Sequence, residues 1–418
     1  MDSIIIPWLE RTVTQRVTKQ STTAGGREWD NILKQLNKNI GYQTMMFNIS
    51  NTIQQFTGLT TAMVVVKPRH LMRALFQWRQ DNQQIRQYVQ ERSAFMATRM
   101  LGSVNDAVQT IDEILRDTTP IGKVHHWANK YAYVTQQFAQ NMMDPSVWLA
   151  AENQAREEGL WDTVFEKYIG LGEAEATRRA EQAVAFYADS VVRDTQTPMT
   201  AEAISGLEYG TALGRLFLKF YSYFNNLYNL NKTQYQLITN QIGWKGKPNK
   251  LFYLYIMGIA APSILAEGVA MGIRGEFDED NEEETTKVLF DVLVGSQIKF
   301  GLAMIPVAGP TVMAFWGQFT KETFDDKLSL SPVISIAGQD LAGFGKVVYK
   351  WFSPDKDVPL STELKKTLDI IGTLFGFPTR WWSKPTTYFL KIQEGAAVPN
   401  DIQDIVTGIL TGRDQTER

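Results

Sequence analysis

Residues 251–273 read LFYLYIMGIAAPSILAEGVAMGI, 23 positions with one charge, Glu267. About 20 apolar residues in a helix span the hydrocarbon core of a bilayer. The stretch is therefore long enough to cross a membrane or to form the central helix of a large bundle. Lys245, Lys247 and Lys250 come directly before it, where cations flank a membrane span, and Phe252, Tyr253 and Tyr255 stand at the level of an interfacial aromatic belt. Gly268 and Gly272 form a GxxxG, the spacing that lets helix backbones approach closely. A second apolar segment, 288–317, is less regular. Asp291 and Lys299 interrupt it, and Pro306 and Pro310 predict a bent or broken helix in the run that begins at Phe300 and ends at Trp316. Between the two segments lies an acidic run, Glu276-Phe277-Asp278-Glu279-Asp280-Asn281-Glu282-Glu283-Glu284, which must stay in water. The expectation is an apolar helical hairpin with a solvated acidic tip. Glu267 and the prolines favour a buried place in a soluble bundle, whereas the lysines, the length and the GxxxG favour lipid. Both readings stand on the sequence, as two moments of one protein.

Working outward, the rest of the chain is patterned as helices. Trp29, Ile32, Leu33, Leu36 and Ile40 share one face at three- and four-residue spacing. Leu71, Leu75, Trp78, Ile85 and Val89 repeat the pattern, as do Val104, Val108, Ile111 and Leu115. A helix over 120–138 carries Val124, Trp127, Tyr131, Val134 and Phe138 as its stripe. Another, with Ala176, Ala180, Val184, Tyr187 and Val191, opens on Glu173 and Glu175, whose charges favour a helix N-terminus. Helix ends are expected at Lys67-Pro68, Thr119-Pro120, Asp144-Pro145 and Thr197-Pro198, because a residue before proline is pushed out of the α region. Phe217, Phe220, Tyr221, Phe224 and Tyr228 make an aromatic face that reads as core. No period-2 alternation persists. The expected fold is all-α: an elongated multi-helix bundle with a central apolar hairpin and essentially no sheet. Its divisions are a polar helical part (1–198), the aromatic helix with the hairpin (199–350) and a Pro-punctuated tail (351–418).

Composition narrows the function. The net charge of −3 argues against a general nucleic-acid coat, which needs a basic surface. The absence of cysteine removes disulfides, thiolate metal sites and cysteine nucleophiles. Pro7 cuts the run Ile4-Ile5-Ile6, and no basic region precedes it, so the N-terminus does not read as a signal peptide. Of the histidines, His125 and His126 diverge by about 100° on a helix and cannot share a metal without distortion. Gly343-Phe344-Gly345-Lys346 lacks the earlier glycine of a phosphate loop and has Val347 where Ser or Thr should follow. No GxSxG occurs. The pairs Asp112-Glu113 and Glu157-Glu158 read as solvated helix faces. No catalytic residue, cofactor or metal site is expected.

A series of short motifs runs through the chain: Ile6-Pro7-Trp8-Leu9; Gln55-Phe56-Thr57-Gly58-Leu59; Ser93-Ala94-Phe95-Met96 with Arg99; Pro145 with Trp148; Phe186-Tyr187-Ala188-Asp189; Phe220-Tyr221-Ser222-Tyr223-Phe224-Asn225; Phe375-Gly376-Phe377-Pro378-Thr379; and Val406-Thr407-Gly408 with Gly412-Arg413. In this order the series resembles the helical C-terminal region of phage large polyvalent proteins and the internal virion, or ejection, proteins of short-tailed phages. The resemblance implies a helical, non-enzymatic protein held in the capsid interior near the portal and ejected into the host periplasm and inner membrane. It implies a homo-oligomer that meets other ejection or portal proteins and the host inner membrane, and lets phage DNA pass without sequence-specific binding. On that reading Lys245, Lys247, Lys250, Phe252, Tyr253, Tyr255, Gly268, Gly272, Phe300 and Trp316 are the membrane or pore residues. The alternatives are a soluble portal-associated scaffold that never contacts lipid, a peptidoglycan hydrolase, and a pore-forming toxin with a buried hairpin.

Overall fold

A computed structural model describes residues 55–100, 134–196, 221–241, 246–274, 289–304, 367–368, 379–399 and 402–412. These residues are 89% helical and contain no strand, so the fold is all-α. The helices expected around Trp29, around Val104 and before 134 lie outside the described residues, as do His125, His126 and the glycine-lysine run at 343–346.

The first helices are α1 (Thr57–Ala62), α2 (Pro68–Gln80) and α3 (Asn82–Arg92). Pro68 opens α2 as expected, since its missing N–H falls where no helical partner exists. The stripe from Leu71 to Val89, expected on one helix, is divided. Asp81 leaves the α region at φ −149° and its carboxylate accepts the Gln84 amide at 2.9 Å, capping α3. A second cap follows at Ser93, whose hydroxyl accepts the Met96 amide at 2.9 Å and starts the helical residues 94–100.

α4 (Val134–Glu157) runs straight through Asp144-Pro145, where a helix end was expected. Proline denies the Asn141 carbonyl its intrahelical donor. The helix survives because neighbours hold both sides of the break. Ser146 donates its hydroxyl to the Met142 carbonyl at 2.7 Å. Arg99 pairs with the buried Asp144 through Nε at 2.7 Å and Nη2 at 3.4 Å. Phe138, placed on a buried stripe by its spacing, is instead 61% exposed.

α5 (Leu160–Tyr168), followed by a 3₁₀ turn (Ile169–Leu171), leads into α6 (Glu173–Thr195). α6 begins at the expected glutamate and buries Ala176, Ala180, Val184 and Val191 as its spacing predicts. α4 is the hub, packing on α6, α2, α3, α5 and α1. Alanines make the close approach feasible: Ala150 and Ala151 of α4 and Ala188 of α6 share one core with Leu71, Val89, Val147 and Val192.

The hub also carries polar anchors. Trp148, fully buried, donates its indole N–H to Asp189 Oδ1 at 2.7 Å, and Ser93 donates its hydroxyl to the same oxygen at 2.6 Å. Tyr88 meets the edge of Trp148 and donates to Glu152 at 2.9 Å. Burial first, then the Glu152 charge, pushes the Tyr88 phenol up to about 12. Arg156 bridges Glu152 and Glu181, at 3.1 and 2.6 Å. The carboxylates Glu157 and Glu158, expected to be solvated, pair with the start of α2: Lys67 sits 2.8 Å from Glu158, and Arg69 bonds Glu157. Three motifs far apart in sequence, at 93–99, 145–148 and 186–189, thus meet in one packed core.

The remaining helices are α7 (Tyr221–Gln241), α8 (Lys247–Tyr255), α9 (Ala261–Arg274), α10 (Ser296–Ala303), α11 (Thr379–Gln393) and α12 (Ile402–Thr411). α7 packs on α6 and α8, while α9 packs on α1, α10 and α12. Helices on both sides of 198 therefore touch, and the second apolar segment lies against the first.

Candidate membrane-contact surface

The first apolar segment is one helical run. α8 passes through a π turn (Ile256–Ala260) into α9. The cause of the turn is local: Pro262 lacks the N–H that would bond the Gly258 carbonyl four residues back. Asn231 of α7 supplies a replacement, donating Nδ2 to Gly258 O at 3.3 Å and to its own helix at Leu227 O, 2.9 Å. The two helices approach so closely that a Cβ on Gly258 would collide with the Asn231 side chain. A π turn braced by an interhelical amide is how a proline is tolerated in an apolar helix. By length and composition, Lys247–Val269 is the one run among the described residues able to cross a membrane, and a third of its most apolar window is buried.

The second segment opens with its own π turn (Asp291–Gly295) and continues as α10. Phe300 is 5% exposed and packs edge-on against Phe224, with ring centroids 5.9 Å apart. Leu227, Met304 and Ile259 complete that cluster.

The hairpin buries Leu254, Met271, Val292, Phe300 and Met304, as a bundle helix would, but it also buries polar groups and leaves several large apolar side chains outside. An ordinary surface helix buries its large apolar side chains and exposes its charged ones. Here Glu267 is 6% exposed, and Ser263 and Ser296 are buried, each donating its hydroxyl to a carbonyl of its own helix. Outward stand Phe252 at 66%, Phe290 at 59%, and Tyr255, Leu265, Leu289, Leu293 and Ile298. Small and polar residues at helix contacts, with large apolar ones outside, are the arrangement that lipid favours.

The expected contact residues divide accordingly. Phe252, Tyr253 and Tyr255 are exposed, and so is Lys250. Tyr253 donates its hydroxyl to the Met63 carbonyl at 2.8 Å, and Tyr255 bonds Gln297 across the hairpin. Lys247 turns back onto α7, donating to Thr239 O at 2.6 Å, where a cation satisfies a terminal carbonyl. Phe300 belongs to the protein-facing cluster rather than the outer surface, because it fills the space beside Phe224. A Cβ on Gly268 meets nothing within 4 Å, so the close helix approach is made at Gly258 instead. Gly272 lies in α9. Lys245 and Trp316 lie outside the described residues, as does the acidic run at 276–284. Asn231 and Gly258, which make this close contact, were not singled out by the sequence. Their only signal was Pro262, a helix breaker inside an unbroken apolar run. No family model, curated protein or solved structure matches this chain.

Proposed function

We propose that this is a structural, virion-borne internal protein whose apolar hairpin is offered to the host membrane, where copies of the chain form or anchor a channel for genome delivery. The observation that carries the proposal is the band of large apolar side chains left outside the hairpin, Phe252, Phe290 and Leu293, while Glu267, Ser263 and Ser296 are buried. Lys250, exposed at the start of the run, suits a phosphate-bearing headgroup. The phage assignment itself rests on the ordered motifs. The helical hub made by three of them supplies a rigid body on which to carry the hairpin.

Flotation of purified full-length protein with anionic vesicles, at neutral and mildly acid pH, tests the lipid contact. Wild type is expected to float, and Phe290→Glu with Leu293→Glu to float less. Failure of wild type to float at either pH sinks the channel reading. Imaging of intact and infecting particles tests the virion location.

A soluble portal-associated scaffold is the second reading. The docking of α9 on α1 and the Tyr253–Met63 bond favour it, since both hold the apolar run against the hub.

A further inference from the structure

The C-terminal helix pair also buries polar groups and leaves large apolar side chains outside. α11 packs on α12, and the closest approach is at Gly408, where a Cβ would overlap the buried ring of Tyr388. The Tyr388 hydroxyl donates to the Asp404 carbonyl at 3.3 Å. Between the helices the chain reverses through Gly395, at φ 72°, with the Ala396 amide donating to Lys391 O at 2.8 Å. The pair is thus a defined unit rather than two loose ends.

What it buries is largely polar: Ser383, Thr387, Asp404 and Thr407. What it exposes includes large apolar side chains beside Lys384, Gln393 and Glu394. Trp382 and Phe389 are each 56% exposed, and Ile405 and Val406 are exposed on α12. Trp382 and Phe389 are seven residues apart, so they lie on one face of α11 two turns from each other. α11 carries Arg380, Lys384 and Lys391 and no acidic residue; these three positions lie on the opposite side of the helix from Trp382 and Phe389, and Lys391 donates to the Gly412 carbonyl at 3.4 Å. α12 also lies against α9, which places the pair directly beside the hairpin.

We infer that α11 and α12 form a second lipid contact, with α11 lying in the plane of an anionic bilayer surface, Trp382 and Phe389 at the headgroup–acyl boundary and the net positive charge of the helix favouring that surface. A basic helix with Trp and Phe on one face is the pattern of an interfacial element, and anionic headgroups attract basic residues beside a span. The inference rests on the lipid-contact reading of the hairpin and extends it to a tail that no apolar run marked out.

Because the chain has no cysteine, Phe389→Cys and Leu293→Cys each give one attachment point for an environment-sensitive dye on the full-length protein, with Trp382→Cys as a second tail position. Vesicles of phosphatidylglycerol mixed with phosphatidylcholine, and of phosphatidylcholine alone, are the probes, with spin-labelled lipid as quencher. The expected result is a blue shift and quenching at 389 and at 293, stronger at 389 on the anionic vesicles. A response at 293 with none at 389 or 382 overturns this inference and leaves the hairpin reading standing. A response at 389 alone supports the tail contact and removes the hairpin from the bilayer. Silence at all three removes both. Equal response at 389 on neutral vesicles overturns the anionic preference. A shift at 389 without vesicles, growing with protein concentration, assigns the face to a second copy of the chain and overturns the lipid contact.

Discussion

Replacing Asp189 with alanine tests the account of the helical hub most directly. One carboxylate oxygen accepts from both the Trp148 indole and the Ser93 hydroxyl, at 2.7 and 2.6 Å. Trp148 is fully buried on α4, and Ser93 is the cap residue between α3 and the helical residues 94–100. Without the acceptor, the indole N–H of the buried Trp148 loses its hydrogen-bond partner. A buried donor left unmade costs about 1–3 kcal/mol, and bonds to charged acceptors lie toward the upper end. The Ser93 hydroxyl can rotate, so its share is smaller, and the expected loss for Asp189→Ala is about 2–4 kcal/mol. Asp189→Asn keeps an acceptor oxygen and is expected to lose about half as much. The diagnostic is the second mutation. Trp148→Phe removes the orphaned donor, so in the Asp189→Ala background it should cost less than in wild type, with a coupling of about 1–2 kcal/mol. Urea unfolding followed by far-UV circular dichroism at neutral pH reads all five proteins, provided the slope with denaturant stays constant. Strict additivity, or a loss near zero for Asp189→Ala, would refute the claim that this oxygen ties three helices together.

Three further outcomes are expected. His70 is buried at the α2–α4 contact, and burial first, then Arg69, Lys67 and Arg73, holds its pKa below the ordinary value against the opposing pull of Glu158 and of Glu157 at 3.3 Å. The unfolded chain therefore binds the proton more readily, so stability is complete above about pH 6.5 and falls as pH drops below it; His70→Gln should flatten that slope in urea titrations at several pH values, and an unchanged slope contradicts the assignment. Gly408→Ala inserts a methyl group into the Tyr388 ring and should destabilise the C-terminal pair by about 1–3 kcal/mol, read as faster amide exchange in α11 and α12 with the α4–α6 core unaffected. Tyr253→Phe removes the hydroxyl bonded to Met63 O while keeping the ring, and should raise the vesicle-bound fraction in flotation; an equal or smaller fraction would show that this bond does not restrain the hairpin.

The parts legible in the sequence were those decided by local periodicity. α6 begins at its glutamates and buries Ala176, Ala180 and Val184 because a helix with one apolar stripe can pack only one way. The parts that were not legible were decided by neighbours. Pro145 does not end α4, because Arg99, 45 residues earlier, holds Asp144, and Ser146 supplies a local bond. Asp81 does divide the stripe from Leu71 to Val89, a choice that periodicity alone cannot register because the apolar positions continue on either side of the cap. Phe138 was placed inward by its spacing and stands outward. In the hairpin the difficulty is of another kind. A run that is apolar on every side has no stripe, so its length is readable but its inner face is not. Only contact with α7 and α10 shows that the glycine, serine and glutamate positions face in.

The magnitudes favour a hairpin that is held rather than locked. Of the contacts that tie it to the hub at α1, the bond from Tyr253 to Met63 O is a neutral hydrogen bond on the exposed side of the helix, a kind that contributes about 0.5–1.5 kcal/mol net. Against it stand side chains already turned outward. Transfer of one Phe or Leu from water to an apolar phase contributes about 1.5–3 kcal/mol when burial is complete. Phe252 and Phe290 are exposed by more than half of their surface and Leu293 by 49%, so even partial burial of two of them in lipid outweighs the bond to Met63. The two inward serines keep their bonds in such a move. Ser263 and Ser296 bond within their own helices, and Asn231 bonds the π turn from the adjacent α7. Glu267 and the Asn231–Gly258 bond are the polar groups that would have to keep protein partners if the hairpin left the hub for a bilayer, the condition any such segment must meet.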